Sequence, residues 1–177
     1  GVRLVGSEMC IRDSIVGFQL SWWACVLGVK YGYSYLGPLL MFLFIVIHFS
    51  IFKSHKSELK LIALFALIGT IIDTAIANTG ILIYNGSYSQ DLLIAPLWIT
   101  AMWCGFCATI NHSLSWLKEK WILCFLMGAI FGPLSYIAGE KFEAISFQSS
   151  FLTVNIVLAI VWGISIPLIF FLNSKIQ

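Results

Sequence analysis

Charge is what this sequence has least of. Only 10% of its 177 residues are Asp, Glu, Lys or Arg, against 60% hydrophobic, and so little polar surface cannot cover a globule in water. Arginine is scarcer still, since Arg3 and Arg12 are the only two and every basic residue after Ser14 is lysine or histidine. A net charge of +2 scattered over short segments provides no basic face of the kind nucleic acid requires, so nucleic-acid binding is excluded. No Gly-rich loop precedes a Lys and a Ser or Thr, which excludes a nucleotide P-loop. No repeat, low-complexity tract or long linker marks a second domain.

What fills the sequence instead is apolar runs, giving a mean hydropathy of +0.96. Six of them, near 15–29, 36–52, 61–84, 95–117, 121–138 and 150–172, meet or approach the roughly 20 residues that carry a helix across a bilayer. The expected fold is all-α, a polytopic bundle of six transmembrane helices forming one domain over 15–177. Residues 1–14 are set apart, because LVGSEMCIRD, Leu4 to Asp13, resembles one reading frame of a sequencing-library adapter. On that reading Glu8, Cys10 and Asp13 carry no functional information, and the first helix lacks its native start.

Orientation follows from lysines in short loops near helix ends. Lys53, Lys56 and Lys60, then Lys118 and Lys120, then Lys175 fall at every second connection, whereas the opposite loops contain Lys30 and Lys141. The six-to-two bias predicts both termini in the cytoplasm. Tyr31, Tyr33, Tyr35, Tyr84 and Tyr88 fall at the expected outer ends, and Trp116 and Trp121 flank an inner loop, as an interfacial belt does.

Within the apolar runs, the most costly residue is Asp73, near the middle of 61–84. A carboxylate at a helix centre costs about 2.5–3.5 kcal/mol on insertion scales and so turns towards the bundle and a partner. Thr70, Asp73, Thr74, Ala77 and Asn78 share its helical face. In the fourth run Trp98, Met102, Gly105, Thr109, His112 and Trp116 project within about 40° of one line, while Asn111, flanked by Ser113 and Ser115, lies far around the helix and leaves its inner third polar on several sides. Upright helices place His112 roughly 10 Å from Asp73 along the membrane normal. Gln19, Trp22, Thr70, Asp73, Asn78, Thr109, Asn111, His112, Ser113 and Tyr136 are therefore the candidate lining of an inward polar pocket. An interhelical hydrogen bond that only fixes packing is the alternative for Asp73, as is a packing role for His112.

In the fifth run, Gly128 and Gly132 have the small-xxx-small spacing of a close helix contact, and Pro133 and Pro167 suggest bends. Cys104 and Cys107 lack the further ligands of a structural metal centre, and Cys25 and Cys124 read as small hydrophobes. His48 and His112 lie at similar depth from their helix ends, which is weak support for two haem ligands. No metal and no cofactor is expected.

The motifs GFQLSWWACVLG, GTIIDT, PLWITAMWCGFCATINHSLSWL and GPLSYIAG resemble, in order, an uncharacterised family of bacterial inner-membrane proteins, domain of unknown function 2878. The likeness extends from Ile15 to Leu172, and its most specific part is the Thr-x-Asn-His-Ser-Leu-x-Trp-Leu end of the fourth run. It implies a small multi-pass protein of the bacterial inner membrane, with membrane lipids and other membrane proteins as partners. Family members are often encoded near lipid-modifying enzymes, which implies a link to envelope lipid metabolism or stress. Glu143 departs from the family pattern, where a glycine stands. Two functions stay open: binding of a small molecule or lipid headgroup in the polar pocket, or service as a scaffold or accessory subunit of a membrane enzyme or transporter. A non-enzymatic role is the expectation.

Overall fold

The structure, a computed structural model, describes residues 2–52, 56–88 and 94–176, with side chains from Ser14 onward except Phe52. The side chains of Leu4 to Asp13 and the whole of Lys53 thus lie outside the described residues. Six helices dominate: α1 (Val2–Lys30), α2 (Leu36–Phe52), α3 (Lys56–Asn78), α4 (Leu97–Ile110), α5 (Trp121–Lys141) and α6 (Phe151–Ile176). A two-stranded ribbon, β1 (Leu82–Tyr84) with β2 (Ile145–Phe147), and a 3-10 turn at Ser115–Leu117 complete the described elements.

Among the described residues, α3, α5 and α6, of 23, 21 and 26 residues, are long and apolar enough to cross a membrane. The apolar helices α2 and α4, of 17 and 14 residues, rise only about 25 and 21 Å at 1.5 Å per residue. Large apolar side chains stand exposed along whole helices, among them Leu39, Phe42, Ile122, Phe131, Ile156 and Ile164. In water each such surface costs about 25 cal/mol per Å². Hydrocarbon removes that cost, and the long apolar helices mark a membrane protein.

Helix contacts rely on small residues. A Cβ on Gly128 would collide with the Trp162 carbonyl oxygen, and one on Gly132 with the Trp162 ring, so the expected glycine seam of α5 is the surface on which α6 packs. Gly69 of α3 makes room in the same way for the Trp103 ring of α4, and Gly105 of α4 for Met41 of α2. Pro133 and Pro167 lie inside continuous helices.

Besides α1, which starts at Val2 rather than near residue 15, two runs differ from the sequence reading. The run 61–84 is not one helix: α3 starts at Lys56 and stops at Asn78, and Gly80 at φ +74° turns the chain into β1. Glycine enters that left-handed conformation without steric cost, and Leu82-Ile83-Tyr84 then suits a strand, with Leu82 opposite Phe147 and Tyr84 opposite Ile145. Asp73 consequently lies near the end of α3 rather than at its middle. The run 95–117 also ends early as a helix. Beyond Ile110, the amides of His112, Ser113 and Leu114 all donate to the Thr109 carbonyl, and Asn, His and Ser favour such a turn over continued helix. His112 therefore does not continue the helical face of Thr109.

The bundle has two distinct ends. One gathers the end of α2, the start of α3, the turn after α4 and the end of α6, joined by Glu58 with His48 and His112 and by the Asn173 amide donating to Asn111 Oδ1 at 2.5 Å. The other carries the ribbon, where Lys30 Nζ lies 3.1 Å from Glu143 Oε1 and the Asn85 amide donates to the Glu143 carbonyl at 2.7 Å. Glu143 itself adopts φ +64°, a left-handed conformation that suits the glycine of the related pattern. An L side chain there costs about 1–2 kcal/mol, and the exposed ion pair returns about 0–1 kcal/mol. Glu143→Gly is expected to raise stability by about 0.5–1 kcal/mol and Glu143→Ala to lower it slightly, measured by denaturant unfolding in detergent micelles.

Candidate functional site

Asp73 is fully buried at 0% exposure. Its Oδ1 accepts from the Tyr84 and Tyr136 hydroxyls, each at 2.5 Å, and its Oδ2 from the Trp103 indole N–H at 2.6 Å. The donors come from β1, α5 and α4, so one carboxylate of α3 joins four elements. Each placement has a local cause. The turn at Gly80 returns Tyr84 towards α3, Gly69 admits the Trp103 ring, and Trp162 of α6 stacks on Trp103 with centroids 4.5 Å apart and planes 4° off parallel. Burial, and then the Asp73 carboxylate, push the Tyr84 hydroxyl well above the ordinary tyrosine range, which keeps it a donor. Around this centre the Thr70 and Thr100 hydroxyls meet at 2.6 Å, and the Ala95 amide donates to the Thr74 hydroxyl at 3.0 Å. Three hydrogen bonds leave the carboxyl group paired and buried.

A second polar centre lies at the opposite end. Glu58, in the first turn of α3, is 6% exposed and His48, near the end of α2, 2% exposed. His48 Nε2 is 3.1 Å and His112 Nε2 3.5 Å from the same Glu58 oxygen, Oε1. The imidazole centroids are 4.8 Å apart and the rings nearly perpendicular. An acid in the first helical turn gains from the exposed amides there, and Phe44 and Phe49 flank His48. His48 also reaches the wall of an apolar groove of about 460 Å³ between α1 and α2, with Ser14, Ser21, Phe44 and Ile47.

The ten sequence-predicted residues do not share one pocket. Asp73 and Tyr136 are in direct contact, and Thr70 lies on the same face of α3 half-buried against Thr100. His112 belongs to the other centre. Roughly 10 Å of α4, from Trp103 to Ile110, separates the two. Asn111 is held by Asn173 of α6, Thr109 is buried and donates to the Phe106 carbonyl, and Ser113 is buried in the turn. Trp22 packs edge-on against Trp23. Gln19 and Asn78 are exposed, with the Asn78 amide donating to the Thr74 carbonyl.

Four residues of the two centres escaped the sequence reading as site residues: Tyr84, Trp103, Glu58 and, beyond its comparison with a haem ligand, His48. Tyr84, expected in an interfacial belt, is only 4% exposed. Glu58 was missed because the apolar run begins at Leu61, although an acid among lysines is a helix-start signal. Trp103 carries no local signal, since its partner is thirty residues away. The two histidines touch, which leaves no space for a haem plane between them. Asp73→Ala leaves three buried donors without an acceptor, and unfolding free energy is expected to fall by about 3 kcal/mol or more, with Tyr84→Phe costing about 1–3 kcal/mol. Asp73→Asn turns an amide N–H2 towards those donors and is expected to impair assembly as well, as read by monodispersity and thermal unfolding in detergent; normal assembly of Asp73→Asn would contradict a packing role.

No curated protein and no solved structure matches the chain. A family model, described as protein of unknown function (DUF2878), matches residues 13–168. The chain belongs to that family.

Proposed function

We propose that this chain is a six-span protein of the bacterial inner membrane, with residues 15–177 as one bundle and both termini in the cytoplasm. It binds a small polar ligand or lipid headgroup at the His48–Glu58–His112 centre. The observation that carries this reading is a buried glutamate approached by two histidines from separate elements. A buried acid is costly, and ionisable groups gathered in this way concentrate at functional sites. The groove between α1 and α2 leads from the apolar exterior to His48, and its fitting occupant is the acyl chain of a membrane lipid. The lysine pattern supports the orientation, because the histidine end also gathers Lys56, Lys60, Lys118, Lys120 and Lys175 at the adjoining termini of α3, the 3-10 turn, α5 and α6.

Asp73 has a different part in this reading. Its sealed and fully paired carboxylate favours a packing device over a proton or substrate site, and to that extent favours the scaffold alternative. The second centre differs in having one accessible edge at His112, which favours binding over the scaffold. C-terminal fusions are expected to give a fluorescent cytoplasmic reporter and inactive alkaline phosphatase, and phosphatase fused after Ser87 to be active. Native mass spectrometry of protein extracted with its lipids should show a bound species in the wild type that is lost in Glu58→Gln. Identical spectra for the two would overturn the binding reading, and reversed reporters the orientation.

A further inference from the structure

We infer that His48, Glu58 and His112 together hold a divalent transition-metal ion of the zinc type, an inference that rests on reading this centre as the ligand site. The three side chains come from the end of α2, the first turn of α3 and the turn after α4. Their potential ligand atoms all lie within 4.8 Å of one another. Tetrahedral zinc with bonds of roughly 2.0–2.1 Å separates neighbouring ligand atoms by about 3.3 Å. The two separations to Glu58 Oε1, 3.1 and 3.5 Å, bracket that edge, and only the histidine pair has to draw closer.

The donor chemistry selects the ion. Two imidazole nitrogens and one carboxylate oxygen suit zinc and its neighbours in the first transition row, whereas calcium takes six to eight oxygens and magnesium a nearly all-oxygen octahedron. Glu58 neutralises one of the two positive charges, and an anionic fourth ligand balances the other. Three potential ligand atoms of the types zinc takes, converging from separate elements, outline a cation's coordination face. Three protein ligands leave a fourth position, the pattern of sites that accept water or a substrate rather than of purely structural zinc. His48 and Glu58 are walled in, with side-chain exposures of 0% and 7%, while His112 at 24% is the side from which an ion arrives and the fourth ligand is exchanged. The sealed Asp73 centre takes no part, since its three donors already occupy the carboxylate.

The test uses the full chain in detergent, stripped with chelator, desalted and titrated separately with zinc and cobalt(II). One zinc per chain is expected to survive desalting, and cobalt to give the intense visible absorption of four-coordination, displaced by zinc. His112→Gln, on the most exposed ligand, is expected to weaken zinc binding at least tenfold while its unfolding temperature in chelator stays that of the wild type. Glu58→Gln should abolish the cobalt bands. A wild type that retains no zinc, shows no cobalt bands and unfolds identically with zinc and with chelator would overturn the metal assignment. If the Glu58-dependent species in the native mass spectrum then persists as an organic mass, the metal alone is wrong; if that species is also absent, the binding reading fails with it.

Discussion

The bundle depends on one buried carboxylate that has to be satisfied without water. Asp73 accepts from two phenols and an indole, and every one of these groups would itself be costly in an apolar interior if left unpaired. The requirement is mutual, so it fixes where β1, α4 and α5 stand relative to α3. It also explains the small residues around it: Gly69 under Trp103 and Gly132 against Trp162 let the aromatic rings stack above the carboxylate. Association of apolar helices gains little from solvent exclusion in lipid, and close packing with buried hydrogen bonds supplies the specificity instead. Gly128, Gly132 and the Asp73 centre provide both within one half of the molecule.

The histidine end is organised by a different rule. There polar groups meet from the end of α2, the start of α3, the turn after α4 and the end of α6. In the turn that follows Ile110, His112 lies beside Glu58. The price of the turn is small, since the Thr109 carbonyl collects three amides. The molecule thus separates a dry, closed centre that holds elements together from a second centre with one accessible edge.

The parts legible in the sequence are those set by local periodicity and composition. The six helices, the packing role of Gly128 and Gly132, and the inward position of Asp73 all follow from apolar runs, a small-residue spacing and the cost of a charge in hydrocarbon. What escaped was set by partners distant in the chain. An apolar run does not tell helix from strand, so Leu82-Ile83-Tyr84 was read into α3 although Gly80 interrupts it. Projection on a helical wheel assumed that the helix continued, and so grouped His112 with Thr109 and separated it from Glu58. At Glu143 the sequence showed only a departure from the related pattern, which put the outer turn in doubt; the chain keeps a left-handed turn there with a glutamate in it.

The central claim is that the two polar centres are separate and that only the first is a packing lock. Double-mutant cycles in unfolding free energy test this most directly, pairing Asp73→Asn once with Tyr136→Phe and once with His112→Gln. Residues in contact couple by about 0.5–3 kcal/mol, whereas distant ones add to within about 0.3–0.5 kcal/mol. Coupling above about 1 kcal/mol is expected for the Asp73–Tyr136 pair, and additivity for Asp73 with His112. Strong coupling between Asp73 and His112, or additivity between Asp73 and Tyr136, would contradict it.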